Sequence, residues 1–190
     1  MADDRKPGRM CNLAALVVAI QFAAACSASG SSPSPSPSPV RADDAKPPYE
    51  LTFVMPQTQW QASDVITGEA TLSIEGQPAV IGTSGSGVIT FGFDEIGGQQ
   101  RHFVGTETAD CSSYRIAQDS PISSPIRKVG GGYPMDAPPS DFNRWFYTDP
   151  QVHLPAGDWK ITAYASFSNP SCNTADYVDL KAVIVVHVTS

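Results

Sequence analysis

The chain has 190 residues, and 12 Lys and Arg against 19 Asp and Glu give it a formal net charge of -7. Charged residues make up 16% and hydrophobic residues 41% of the chain, so it is too apolar to be wholly disordered. It is also too acidic to bind nucleic acid through a broad basic face. The length favours one folded domain, and these numbers point to no particular biochemical activity.

Residues 1–25 have the pattern of a secretory signal peptide. Basic residues precede an apolar run over residues 13–25, which as a helix spans about 20 Å, short of a bilayer core of about 30 Å. The run ends in AAAC at residues 23–26, which resembles the lipobox of bacterial lipoproteins. That resemblance implies cleavage before Cys26 and a diacylglyceryl group on its sulfur. The same residues also fit an ordinary secretory cleavage site, and an uncleaved anchor is a third interpretation.

The cysteine count favours lipidation at Cys26. Of the four cysteines, Cys11 leaves with the signal peptide. If Cys26 carries lipid, Cys111 and Cys172 remain, an even pair that suits one disulfide in an oxidising compartment. We expect this bridge to be structural, because the C-x-x-C spacing of a redox pair is absent from the sequence. The protein is therefore expected on the extracytoplasmic side of the cell membrane, with the membrane as its partner through the lipid anchor.

Residues 26–48 are predicted to be a disordered Ser/Pro-rich linker. After Cys26 the segment contains six prolines and no aromatic residue, so it cannot bury enough apolar surface to offset the entropy of ordering. Its Ser-Pro alternation favours polyproline II, with a reach of up to roughly 70 Å. We expect a stalk that lifts the following domain off the membrane; a docking motif for a proline-binding domain is the alternative.

Residues 49–190 are predicted to form an all-β domain, an antiparallel β-sandwich. Short runs of strand-forming residues recur between Gly and Pro turns, and no amphipathic helical pattern of ten residues or more is evident. The predicted strands are 49–54, 65–74, 88–93, 100–105, 114–117, 158–167 and 179–188, and Gly97-Gly98 predicts a hairpin turn into the strand 100–105. Strand 158–167 is the clearest, because Trp159, Ile161, Ala163, Ala165 and Phe167 alternate with polar residues.

The sequence LPAGDWKI at residues 154–161 is similar to the L-P-x-G-x-[YW]-x-[IV] turn and strand of many bacterial immunoglobulin-like domains. The resemblance extends to the C-terminus and implies an immunoglobulin-like sandwich whose Pro-Gly turn leads into a late strand and a final hairpin. It implies nothing about a ligand. Trp159 stands where the family usually has a tyrosine that hydrogen-bonds the backbone at this corner.

The segment 138–150 is the most distinctive part of the domain. It holds four aromatic residues and one arginine that we name as candidate binding residues: Phe142, Arg144, Trp145, Phe146 and Tyr147. Exposed aromatics with arginine are typical anchors for a protein or carbohydrate partner. The alternative interpretation is that the segment covers one end of the sandwich with its aromatic side chains facing inward.

The sequence contains no recognisable catalytic or metal-binding pattern. The glycine-rich run 82–87 fails the G-x-S-x-G pattern, so we expect a loop there. His102, His153 and His187 lack ligand spacing. We therefore expect no cofactor, and a non-enzymatic binding or structural role at the cell surface. The alternatives are a ligand-binding or inhibitor module that uses residues 121–150, and an envelope polymer hydrolase, which needs two carboxylates facing across a cleft.

Overall fold

The computed structural model describes residues 38–84, 87–104, 110–128, 141–169 and 176–190. The predicted signal peptide, Cys26 and Cys172 lie outside these ranges. Within them the elements in chain order are β1 (Val40–Lys46), β2 (Tyr49–Met55), β3 (Gln59–Gln61), β4 (Glu69–Ile74), β5 (Ala79–Ser84), β6 (Ile89–Ile96), β7 (His102–Val104), β8 (Cys111–Ile116), β9 (Ile122–Pro125), α1 (Asp141–Thr148), β10 (Gly157–Ser168) and β11 (Tyr177–Thr189).

Two sheets pack face to face, which confirms the predicted all-β sandwich. The first sheet has the order β1-β2-β4-β9 and is antiparallel throughout. The second has the order β3-β11-β10-β5-β8, with β6 also paired to β10 and β7 paired to β6. Because β3 runs parallel to β11, with Trp60 opposite Val188, this sheet is mixed rather than wholly antiparallel as expected.

The core lies between the inner faces of the two sheets. The five apolar residues predicted on one face of β10 are all fully buried. The ring of Phe167 on β10 lies 4.9 Å from that of Tyr49 on β2, and the rings of Phe53 and Phe91 lie 5.9 Å apart. The period-2 alternation of a strand places every second side chain on one face, so one apolar face per strand fills this core.

The sandwich begins at Val40, earlier than the boundary expected at residue 49. β1 pairs with β2 over its whole length, from Val40 opposite Met55 to Lys46 opposite Tyr49. Residues 40–46 therefore form an edge strand instead of the end of the linker. The strand is polar because its outward side is solvated, and a composition argument cannot distinguish that from a linker.

Charged side chains of β1 cover the neighbouring edge of β11. The Asp44 carboxylate accepts a 2.7 Å hydrogen bond from the backbone N–H of Lys181, and the Lys46 ammonium donates one of 3.2 Å to the Tyr177 carbonyl. These contacts satisfy backbone groups that would otherwise be open to another strand.

Two further strands, β5 and β9, lie outside the predicted strands, and β5 includes part of the loop expected at 82–87. Residues 82–84 of the glycine-rich run belong to β5, and the buried Thr83 hydroxyl donates to the Ser166 carbonyl at 3.1 Å. β9 lies at the start of the 121–150 segment and pairs with β4, with Ser124 opposite Ala70. Both strands are short and rich in serine, threonine or glycine, so their pattern alone did not indicate them.

The strand registers define two ends of the sandwich. We call the end where the chain enters β1 the entry end; there β1, β4 and β10 begin and β2 and β11 finish. The opposite end, the far end, holds the β1–β2 turn and the pair of Ser168 and Tyr177. The contacts of Asp44 and Lys46 with β11 confirm that the two sheets share this direction.

Candidate functional site

The aromatic residues of the predicted segment 138–150 lie in the helix α1, which places them on two faces. Phe142 and Phe146, four residues apart, lie toward the core, whereas Arg144 and Trp145 face outward. The division follows from the 3.6-residue period of a helix, which places residues three or four apart on the same face. An isolated helix of eight residues is not stable in water, so tertiary packing must hold α1 in place.

Phe146 provides the main packing contact. It is 0% exposed, and its ring lies 4.6 Å from that of Phe103, 5.3 Å from that of Phe93 and 5.4 Å from that of Phe142. Aromatic pairs at these separations contribute beyond the area that they bury. Phe146 is therefore a core residue, which corrects its assignment as a contact residue for a partner.

The first turn of α1 rests on a stack of aromatic rings and a buried ion pair. The Phe142 ring lies 5.6 Å from that of Trp159, and the Arg101 guanidinium lies 5.2 Å from the Trp159 ring and 5.7 Å from the Phe142 ring. Arg101 in turn bonds the Glu95 carboxylate at 2.6 Å. This stack fixes where α1 begins, because a planar guanidinium can bind a carboxylate and lie against a ring at once.

The β6–β7 hairpin turn positions Glu95. Its side chain is 5% exposed and also accepts a 3.0 Å hydrogen bond from the Gln99 N–H. The hydrogen bond from Arg101 lowers the pKa of Glu95 below its usual value. Gly98 has a φ of +57°, and a Cβ at that position would lie 2.5 Å from the Glu95 carboxylate. The glycine turn predicted here therefore allows the carboxylate to fold over the hairpin.

Lys128 holds the other end of α1. Its ammonium donates to the carbonyls of Phe146 at 2.6 Å and Asp149 at 2.7 Å, and lies 4.1 Å from the centre of the Phe146 ring. A cation at the carboxyl end of a helix satisfies carbonyls that have no partner within the helix and complements its dipole. Burial lowers the pKa of Lys128.

Asp149 fixes the chain just after the helix. It accepts hydrogen bonds from the Gln151 N–H at 2.8 Å and contacts His153 Nδ1 at 2.5 Å. The hydrogen bond with His153 is the largest cause of its lowered pKa. With Lys128 on its carbonyl, Asp149 completes a rigid carboxyl end for α1.

The outer face of α1, which we define as Asp141, Arg144, Trp145 and Thr148, is exposed to solvent. Trp145 is 43% exposed, and Arg144 forms an ion pair with Asp141 one turn earlier. Phe142 and Tyr147 are half-buried against the core. Both interpretations of the segment therefore apply in part: it closes the entry end of the sandwich, and it leaves one large aromatic residue in solvent.

Comparisons with family models, with curated proteins and with solved structures found no match. Among the described residues, no helix has the length and apolar character needed to cross a membrane.

Sequence reasoning missed the residues that support α1. Glu95 and Arg101 come from the β6–β7 hairpin, Lys128 follows β9, and Trp159 opens β10. No local pattern links these positions, because they meet only when the two sheets close over the helix.

Each of the three histidines contacts an aspartate, which the sequence did not indicate. The pairs are His102 with Asp94, His153 with Asp149 at 2.5 Å, and His187 with Asp158 at 2.6 Å. Lys160 adds a second partner to Asp94 at 2.9 Å. Within the described part of the chain, no group of three or more His, Cys, Asp and Glu residues is placed to hold a metal ion.

A shallow groove of about 550 Å³ lies on the outer side of the first sheet at the entry end. It is lined by Pro39, Thr52, Val54, Pro56, Thr67, Gly68, Glu69 and Thr71. Among the described residues, Glu69 is the one carboxylate in this lining, so they supply no facing carboxylate pair of the kind that glycoside hydrolysis requires.

Proposed function

We propose that the chain is a bacterial cell-envelope lipoprotein that displays a non-enzymatic, immunoglobulin-like β-sandwich, and that the outer face of α1 is its contact surface. The observation that carries the proposal is Trp145, 43% exposed on a helix whose next residue, Phe146, is fully buried. Tryptophan and arginine are the residues most enriched at binding hot spots. A rigid helix presents them without the entropic cost of ordering a loop on binding.

The immunoglobulin-like part of the proposal is supported by the corner that leads into β10. The indole N–H of Trp159 donates a 2.8 Å hydrogen bond to the carbonyl of Pro155, four residues upstream. This is the role that a tyrosine hydroxyl has at the corresponding corner of immunoglobulin domains. Support also comes from the β10–β11 hairpin, with β6 on its other side.

The anchor is supported by the sequence at Cys26 and by where the fold begins. With β1 starting at Val40, the stalk comprises residues 27–39, a reach of about 40 Å as polyproline II. The membrane fraction of cells that express the full chain tests this directly. Cys26→Ser should move the protein to the soluble fraction; if the variant stays with the membrane, lipidation is not what holds it.

The predicted bridge between Cys111 and Cys172 is compatible with the strand order. Cys111 opens β8 opposite Ser84 of β5, and Gly82 of the same strand lies opposite Ser168, from which the chain proceeds toward Cys172. Peptide mapping under non-reducing conditions should find one peptide pair joined through these two cysteines. Recovery of both as free thiols in secreted material would refute the bridge.

A photo-crosslinking amino acid at position 145 tests the contact surface in intact cells. Tyr177, which is 47% exposed at the far end, provides the matched control position. We expect adducts at position 145 and few at position 177. The identity of the adduct distinguishes a protein, a glycan and a lipid. Equal labelling at both positions, or none at 145, rules out the outer face of α1 as the contact surface.

A further inference from the structure

The start of β1 and α1 lie at the same end of the sandwich. The chain enters β1 at Val40, opposite Met55 at the end of β2. Gly68, which leads into β4, accepts a hydrogen bond from the N–H of Ile126, only two residues before the Lys128 that caps α1. The chain that precedes the described residues therefore joins the sandwich at the end that carries α1.

Acidic side chains are exposed at both ends of the sandwich. The far end carries Glu75, Asp119 and Asp176, and the entry end carries Glu69 and Asp158. At the entry end the outer face of α1 is close to neutral, because Arg144 is paired with Asp141. A membrane leaflet that contains anionic lipid repels acidic side chains. The outer face of α1 therefore presents no net charge that an anionic surface would repel.

The exposed apolar groups of the entry end fit a bilayer interface. Trp145 on α1 and Ile96 at the tip of the β6–β7 hairpin are both exposed, and both belong to the end at which β6 finishes and β10 begins. Tryptophan is enriched at the headgroup level of membranes, where one part of its ring is in apolar and another in polar surroundings. Arginine beside it can keep its charge in the headgroup layer while its stem lies on apolar surface.

We propose that the outer face of α1 docks on the lipid surface to which Cys26 is anchored, with Trp145 inserted at the boundary between headgroups and acyl chains. This inference rests on the proposed function, because it assigns a partner to the same contact surface and uses the same anchor. An eight-residue helix is about 12 Å long, so its outer face is far smaller than the roughly 800 Å² that each partner contributes to a stable protein interface.

The linker makes such a small contact sufficient. A single tryptophan gives weak membrane binding to a freely diffusing protein. A domain tethered within about 40 Å of the bilayer instead docks in an intramolecular step, whose effective concentration is set by the length and stiffness of the linker and is on the order of 1 mM for short tethers. The bound state is then populated although the isolated contact is weak.

Depth-dependent quenching of tryptophan fluorescence tests the proposal. The full lipidated chain is reconstituted in phosphatidylcholine vesicles that contain lipid brominated near the headgroup end of the acyl chains. The chain has three tryptophans, and Trp60 and Trp159 are buried. We therefore expect the brominated lipid to quench the emission of Trp145, which is close to one third of the total. The same component should be protected from quenching by aqueous iodide.

Two variants provide matched controls. Trp145→Phe should abolish the quenching by brominated lipid, whereas Trp60→Phe should leave it intact. Cys26→Ser should lose it at the same lipid concentration, because docking then becomes bimolecular. If Trp145 stays open to iodide and is not quenched by brominated lipid, or if the Cys26→Ser chain is quenched as strongly as the lipidated one, the proposal is overturned.

The proposal and the proposed function fail in distinguishable ways. Crosslinks from position 145 to a protein or glycan without quenching by brominated lipid reject the lipid surface and keep the contact surface. The absence of both crosslinks and quenching at this position rejects the lipid surface and the contact surface alike. Quenching together with lipid adducts supports both.

Discussion

Replacing Phe146 by alanine tests how α1 is seated. The side chain is 0% exposed, and three aromatic rings lie within 5.4 Å of its own. Truncating a buried phenylalanine to alanine costs about 3–5 kcal/mol, depending on how far the site collapses. The ring contacts favour the upper part of this range, and the better helix propensity of alanine offsets less than about 0.7 kcal/mol. We expect a loss of about 4 kcal/mol, a large part of the 5–15 kcal/mol that stabilises a typical domain.

The neighbouring substitution Trp145→Ala is the matched control. It removes a larger side chain from the same helix, but that side chain is 43% exposed, so solvent fills the space and no cavity forms. We expect a loss of about 2 kcal/mol, because the buried part of the ring, which lies 5.9 Å from the Phe142 ring and 6.3 Å from the Phe146 ring, is removed. The difference between the two variants therefore measures which face of α1 is buried, with the effect on helix propensity common to both.

Urea unfolding of the soluble Cys26→Ser chain, followed by far-ultraviolet circular dichroism, provides the measurement and does not depend on tryptophan emission. For a slope near 2 kcal/mol/M, the midpoint should fall by roughly 2 M for Phe146→Ala and by roughly 1 M for Trp145→Ala. Equal shifts, or a larger one for Trp145→Ala, would refute the seating of α1, because consecutive helical residues point about 100° apart.

Three further predictions concern the support of α1 and the sheet edge. Glu95→Gln should cost about 1–3 kcal/mol of folding free energy at neutral pH. Because the folded-state pKa of Glu95 is lowered, the stability that its carboxylate adds is present above its unfolded pKa and disappears as the pH falls through the folded value. The urea midpoints of parent and variant should therefore converge in acid, and a constant gap between them would contradict the Arg101 contact. Trp159→Phe keeps a ring but removes the donor to Pro155 and part of a fully buried side chain. The urea midpoint should therefore report a loss of more than about 1 kcal/mol, and an unchanged midpoint would show that neither the hydrogen bond nor the packing of the indole contributes. Asp44→Ala removes the carboxylate that covers the Lys181 N–H on β11 and so leaves that N–H open to a strand of another molecule. Sedimentation velocity should therefore detect more self-association than in the parent. Identical sedimentation profiles would mean that the carboxylate does not protect the sheet edge.

The sequence by itself predicted the all-β class and which residues of β10 lie on its buried face. Alternation in residues 158–167 is a local signal, because the covalent geometry of a strand sends successive side chains to opposite sides. The same holds for the β6–β7 hairpin, where Gly97 and Gly98 mark the turn and Phe93 pairs with Phe103. These features need no knowledge of what the strand packs against.

β1 and α1 lay beyond that local signal. β1 is polar and its pattern matches a linker, and only its pairing with β2 and the contact from Asp44 to Lys181 make it a strand. α1 has just eight residues, too few for periodicity to indicate a helix with any force. Composition identified the aromatic segment as distinctive, but it could not tell Trp145 from Phe146.

Only the tertiary structure decided which aromatic side chain reaches solvent and at which end of the sandwich it lies. Trp145 and Phe146 are adjacent in sequence and are separated by the rotation of one helical step, whose phase is set by Phe103, Arg101 and Lys128. Arg101 and Phe103 lie together in the β6–β7 hairpin and Lys128 follows β9, so they meet α1 only when the sheets close. Contacts between residues distant in sequence leave no local pattern, whereas the alternation of a strand is present before any tertiary contact forms.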